Sequence, residues 1–411
     1  MAPPPPDPYL FRDDFAGFRR LGYWEQWDHL VAFGVRVGNR SALPAILFHA
    51  AVFVAHLLAF RALMARTMVP FPDRGAAAVA DASERWHSAA LKNTVVWTLL
   101  ANYLGLSLGY VGPLYGELGW RLSTRRFATG IPVRRGWLGR RSFRWLSLPL
   151  PATRRWFDVA HAVALVAVCV VLLLSGAKVP PWAVWLLAAL ALAAWALLDA
   201  GAWLGLYGMQ YHWPLAWLLQ TYGGAASVAV NVLPCFQLWL LAVYVLCALA
   251  KVGPWWDIGH ANEWTTPPPF AGRAAPMRLF LRDAPAADFR ATAFARAAAL
   301  GTVAVEGGAP LLLLLGGDNA RWVGAGALFA MHAYIVGHFA HADVYSLNWL
   351  AAHCLYFCHV HRPRLELGAA SPAALALLAL ELGYALWGQL GGNAHRALQS
   401  YCYKYWSGNY R

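Results

Sequence analysis

The chain has 411 residues, of which 59% are apolar and only 13% charged, with a mean hydropathy of +0.43. Soluble domains carry nearer a quarter charged residues, so the composition excludes an ordinary soluble globular protein and points to a membrane protein. The net charge of +13 comes with arginines flanked by apolar spans and with no recognition motif, which excludes nucleic acid as the expected partner.

The start, Met1-Ala2-Pro3-Pro4-Pro5-Pro6-Asp7, lacks a basic region followed by an apolar core, so no cleavable signal peptide is expected. Residues 1–41 form a mixed segment. Tyr23, Trp24 and Trp27 stand among acids and arginines there and predict an amphipathic helix lying at the interface. Apolar segments long enough to span then recur near 42–64, 91–112, 157–176, 181–206, 213–232, 234–250, 294–315, 321–340, 345–360 and 371–390. Runs such as Val163–Leu174 and Leu186–Leu198 do not alternate, so a β-barrel is not expected. The fold expected is all-α: one polytopic transmembrane helical bundle over 42–390, about eight to ten spans, with interfacial helices at both ends.

Between Leu118 and Phe157 there are ten arginines and no Asp or Glu. The positive-inside rule places this 118–157 loop in the cytoplasm, and with ten spans both termini join it there. The same arginines fit anionic membrane lipids. Segment 251–293, with Trp255, Trp256 and Pro267-Pro268-Pro269, reads as an irregular interfacial loop. The tail 391–411 ends in an aromatic and basic run, Tyr401 to Trp406, of the kind that anchors at the interface.

Ionisable residues inside apolar spans are the strongest functional pointers, because a charge at mid-bilayer costs about 2.5–3.5 kcal/mol on insertion scales. Asp199, Lys251, Glu306, His332, His338 and Glu381 are such residues. Glu306 sits near the middle of its span and is too far from either end to reach water. It must be neutralised, paired or solvated in a cavity. Lys251 closes an apolar helix. It reads either as a lysine snorkelling to the interface or as a desolvated amine able to act as a base. Lys92 is expected to begin a helix and Lys178 to lie in a short loop, which leaves Lys251 as the lysine nearest a span interior.

His332, His338, His341, His353, His359 and His361 fall within thirty residues, so metal ligation must be weighed. Only His338 and His341 are one helical turn apart, and no tightly bound transition metal or haem is expected from these spacings. His49 and His56 lie two turns apart on one face of the first span and point to substrate contact, as do His338, Trp255 and Trp256. The six cysteines include no C-x-x-C pair and read as packing residues.

Lys251-Val-Gly-Pro-Trp255-Trp256 with Gly259 resembles a segment of the HTTM membrane domain, which is related to vitamin K-dependent γ-carboxylases. Glu306 followed by Pro310 and Leu311–Leu315 is similar to that family's Glu-then-Pro helix, and the Met331-His332 helix is similar in order to its next one. His29–Gly34 with Pro44, Gly109–Leu114 and Lys251–Trp256 also resemble a bacterial family of uncharacterised multi-pass proteins. The resemblance implies a base role for Lys251 towards a quinone-like substrate.

Three functions follow as expectations. The first is an enzyme acting on a lipid-soluble substrate, with Lys251 as base, Glu306 as its partner and His332 as a proton-transfer group. The second is a non-catalytic subunit or scaffold of a membrane complex, with other membrane-protein subunits as partners. The third is a transporter using the same midplane residues.

Overall fold

The computed structural model describes residues 20, 21, 25, 54, 58, 76–108, 154–176, 178–197, 209–224, 230–251, 279, 281–283, 288–338 and 342–390. Nearly all of these are helical. The helices are α1 (Ala76–Leu108), α2 (Arg154–Leu174), α3 (Pro181–Leu197), α4 (Met209–Tyr222), α5 (Leu233–Ala250), α6 (Ala293–Leu315), α7 (Asp318–His338), α8 (Ala342–Leu355) and α9 (Pro372–Leu390). A π-helical turn, Tyr356–His361, continues α8, and one 3-10 turn covers Leu367–Ala369. Among the described residues one helix, Ala293–Leu315, is long and apolar enough to cross a membrane. Shorter apolar stretches lie in α2, α3, α5 and α9. The first expected span, the N-terminal segment, most of the arginine loop and the C-terminal tail lie outside the described residues, apart from isolated positions.

The chain divides into two compact units. One contains Ala51–Ala242 and His341–Ala385, and so holds α1 to α4, the start of α5, α8 and most of α9. Several hydrogen bonds in this unit join residues at or near helix ends. The α2–α3 connection turns at Gly176, whose φ of 59° is the left-handed conformation glycine adopts without a Cβ penalty. Lys92 Nζ donates to the carbonyls of Leu172 at 2.8 Å and Gly176 at 3.0 Å, so a lysine of α1 satisfies the C-terminal carbonyls of α2. Trp185 Nε1 near the start of α3 donates to the carbonyl of Gly223 just past α4 (3.0 Å). Asn231 before α5 donates through Nδ2 to the Ala369 carbonyl (2.9 Å) and accepts from the Ser371 N–H (3.1 Å), just before α9. Gln237 on α5 donates through Nε2 to the carbonyls of Cys358 and Arg362, both at 2.7 Å, which fixes the π-helical end of α8.

Two expectations need correcting. Lys92 does not begin a helix: α1 starts sixteen residues earlier, at Ala76, and Lys92 is 1% exposed. It sits in a polar run, Lys92-Asn93-Thr94, that is wholly buried. Thr94 and Thr98 turn their hydroxyls to carbonyls of their own helix, Ala90 at 2.9 Å and Thr94 at 2.7 Å. The 251–293 segment also contains order. Leu281–Asp283 and Asp288–Ala291 pair as an antiparallel ribbon with Leu281 opposite Ala291 and Asp283 opposite Asp288.

The second unit contains Val243–Ala340 and so holds the end of α5, the ribbon, α6 and α7. Thr292 caps α6 by accepting the Ala295 N–H at 3.1 Å. The helix closes where the Gly316 N–H donates to the Leu312 carbonyl at 3.1 Å. After Gly316-Gly317 the chain reverses into α7. The two helices approach so closely at Gly324 that a Cβ there would sit 2.8 Å from the Ala309 carbonyl oxygen. Small residues allow such backbone approach in lipid-facing bundles. The pattern of α6 is the reverse of a soluble helix. It buries Ala295, Ala299, Glu306 and Ala309, while Leu300, Leu311, Leu312, Leu314 and Leu315 are exposed. In water such an arrangement would waste the burial of each leucine, about 1.5–3 kcal/mol.

Candidate functional site

Tyr244, Cys247 and Lys251 recur along α5 and the residue after it at spacings of three and four, which places them on one helix face. Ala248 on that stretch faces α6, where a Cβ on Gly307 would lie 3.5 Å from the Ala248 Cβ. Next to Gly307 is Glu306, only 6% exposed. The Lys251 amine donates to Glu306 Oε2 in a short ion pair, with the two side chains 12% and 8% exposed. Lys251 therefore turns inward and does not snorkel. Cys247 lies within electrostatic reach of both partners.

Pro310 shapes the same place. It has no N–H to give to the carbonyl of Glu306 four residues earlier, which loosens α6 beside the buried carboxylate. The third element is α7. His332, buried, meets Tyr244 through an Nε2–hydroxyl hydrogen bond of 2.5 Å, with the rings edge to face at 5.7 Å. Two polar pairs thus share one face of α5, separated by two turns or about 10 Å of helix rise.

Chemically, this arrangement handles protons. In surroundings of low polarity the Lys251–Glu306 pair can exist as ions or as neutral amine and acid, and one proton's shift interconverts them. Neutral Lys251 is a base. Tyr244 with His332 offers a hydroxyl and an imidazole that donate or accept according to tautomer.

Of the residues singled out from sequence, the structure joins Lys251 to Glu306 and places His332 in the same unit with Tyr244 as its partner. His338 is the last residue of α7, six positions beyond His332, and its side chain lies outside the described residues. So do His49, His56, Asp199, Trp255 and Trp256. Glu381 belongs to the other unit. It accepts a hydrogen bond from buried Trp213 Nε1 at 2.8 Å, and His212 Nε2 lies 2.6 Å from its other oxygen without hydrogen-bond alignment. His212, Trp213 and Tyr244 were not marked by the sequence. Tyr244 had a signal in its seven-residue spacing from Lys251, and His212 stands beside Trp213 in an apolar run.

The late histidines among the described residues are individually engaged. His353 faces the Trp349 carbonyl, His359 the Gln237 carbonyl at 3.1 Å, and His361 the carboxylate of Glu84 at 3.0 Å. Among the described residues no three His, Cys, Asp or Glu side chains converge as a metal set. The described cysteines, 169, 235, 247, 354 and 358, are all free thiols. No protein-family model, no curated protein and no solved structure matches the chain.

Proposed function

We propose that this is a multi-pass membrane protein that takes a proton from a lipid-soluble, quinone-like substrate at the Lys251–Glu306 pair. The observation that carries the reading is that pair itself: a buried glutamate and a mostly buried lysine, held together by two helix elements, beside the loosened backbone at Pro310. Intramembrane ionisable groups mark functional sites by default, since packing alone is served more cheaply by apolar residues. The resemblance of Lys251–Trp256 to the HTTM domain supports a quinol hydroxyl as the proton source.

The step balances as follows. Lys251 passes its proton to Glu306, leaving amine and carboxylic acid. The amine then takes the hydroxyl proton of the substrate, whose O–H bond breaks to give an oxyanion beside the new ammonium. Tyr244, on the same face of α5, and its α7 partner His332 hold a hydrogen-bonding group of the substrate or of a bridging water.

The alternation of helix ends supports the multi-pass arrangement. In a ten-span order with the arginine loop cytoplasmic, the ends of the third, fifth and ninth spans share the opposite face with the starts of the second, fourth, sixth and tenth. Trp185 with Gly223, Asn231 with Ala369 and Glu84 with His361 join such ends to one another. Cysteines introduced at Arg140, and at Lys178 or Arg364, should label from opposite sides of sealed vesicles. Labelling of both from one side would break the proposed topology.

A second reading is a non-catalytic membrane subunit. It is favoured by the closed pairing of Lys251 with Glu306, which leaves neither charge uncompensated, and by the exposed leucines of α6. A photoreactive quinone incorporated into vesicles with the full chain separates the two. We expect crosslinks concentrated on peptides carrying 244–251 and 302–310. They should fall at least about tenfold, the equivalent of ~1.4 kcal/mol, in Glu306→Gln. Labelling spread evenly over the exposed apolar faces, unaffected by the substitution, would favour the subunit.

A further inference from the structure

The first turns of α1 lie ahead of the second apolar span, and they carry a cluster of ionisable groups that the reading above does not use. Glu84, His87 and Ser88 share one helix face at spacings of three and four. Across from them stands the π-helical turn Tyr356–His361 with Arg362 after it. The Arg362 guanidinium donates to Glu84 Oε1 in a short ion pair, His361 Nε2 donates to Glu84 Oε2 at 3.0 Å, and Ser88 Oγ donates to the same carboxylate at 3.1 Å. The His87 ring stacks against His361 with centroids 3.8 Å apart and planes inclined by 42°.

The π turn is what delivers His361 and Arg362 together. Single π turns inside helices are uncommon and recur at functional sites. This one is held from behind, where Gln237 binds the carbonyls of Cys358 and Arg362 and accepts from His359 at its own carbonyl. The Arg362 side chain also lies over the Phe357 ring, 5.4 Å from its centroid. The turn is thus rigid on the α5 side, and Glu84 is the tie on the α1 side.

We propose that Glu84, His87, His361 and Arg362 form an acid-released latch that fastens the first turns of α1 to the π-helical end of α8. At neutral pH the carboxylate is held by two donors from the turn, and a neutral His87 lies on the face of His361. Acid acts twice. A proton on His87 sets an imidazolium against the inclined ring of His361, and a proton on Glu84 removes the anion that both Arg362 and His361 hold. Other charged groups near the cluster do not replace these ties. Asp81 and Arg85 pair with each other at 2.7 Å on the exposed side of α1. His359 is turned to Gln237, and Tyr222 of α4 lies within electrostatic reach of Glu84.

The protonation equilibria run in the required direction. Burial works against ionised Glu84, but the hydrogen bonds of Arg362 and His361 and the Arg362 charge outweigh it and hold the carboxyl below its ordinary 4.5. Burial, then the neighbouring His361 charge, hold His87 below its ordinary 6.5, against a smaller pull from Glu84. A group lowered on folding contributes fully above its unfolded value and loses that contribution as pH falls through the folded one. The latch is therefore closed above 6.5, weakens below it as His87 takes its proton, and is released below 4.5.

Peptide-resolved hydrogen exchange on the full chain in detergent, at about pH 7.5 and about pH 5 with rates corrected for intrinsic chemistry, reads the latch directly. We expect peptides covering 356–364 to lose protection at least about tenfold at the lower pH, while 181–193 is unchanged. His87→Gln should keep the turn protected in acid, because no imidazolium can then form against the His361 ring. Glu84→Gln should open it already at neutral pH. Unchanged corrected rates in the wild-type chain, an equal acid effect in His87→Gln, or full neutral-pH protection in Glu84→Gln would each overturn the latch.

Discussion

Lys251→Met is expected to destabilise the folded chain by about 3–5 kcal/mol, the cost of leaving a buried charge without its partner. The remaining carboxylate would be that of Glu306, 6% exposed and near the middle of α6, where no rotamer brings it to water. Glu306→Gln should cost a similar amount by stranding the Lys251 ammonium. The double substitution should cost less than the two singles summed, because it removes both ions together. Denaturant titration of the four proteins in one detergent measures the coupling. A favourable coupling of one or a few kcal/mol is the expected result. Additive effects near zero would mean that the pair closes only weakly and that Lys251 finds water on its own.

That coupling could be anticipated only in part from the sequence. Glu306 was legible as a buried acid because it stands nine residues from the C-terminal end of α6 and farther from the N-terminal end, in a stretch, Ala297–Gly317, with no other charge. Lys251 was ambiguous, since an amine at a helix end reaches inward or outward with equal ease on its long stem. The deciding fact is that α6 packs on the end of α5 at Gly307 and Ala248, a contact between residues nearly sixty positions apart. Tyr244 carried only its seven-residue spacing from Lys251, for the same reason. Aromatic residues are common in apolar helices, and in lipid the face turned inward is not the more hydrophobic one. Only the approach of α7 singles it out, through His332.

Helix boundaries were legible where apolar runs end abruptly. The expected spans 234–250, 294–315 and 371–390 agree with Leu233–Ala250, Ala293–Leu315 and Pro372–Leu390 to within a residue. They stop at Gly, Pro or charged positions. The start of α1 was not legible, because Ala76–Ala90 carries Asp81, Glu84 and Arg85 and falls outside any apolar window. Alanine favours helix without hydrophobicity, so the helix runs on past the apolar stretch. The cost of that miss was Lys92, which the longer helix carries into the interior, and the Glu84–His361 tie at its exposed end. The ribbon at Leu281–Ala291 was missed because strands of three and four residues are too short to show alternation.

A quinone-class molecule is expected to stay bound at the proposed Lys251–Glu306 site through gentle purification. A closed ion pair in lipid is expensive to maintain without a task, and a proton-accepting amine beside a loosened backbone fits a hydroxyl-bearing apolar molecule. Native mass spectrometry of the full chain, purified gently from membranes, weighs what stays bound. The expected result is one small lipid-soluble molecule of the quinone class per chain in the wild type, lost from Lys251→Met and Glu306→Gln variants that remain folded, and kept in an exposed control such as Lys178→Met. Wild-type protein that carries only bulk phospholipids, to the same extent as both variants, would contradict the claim and leave the pair as a structural tie.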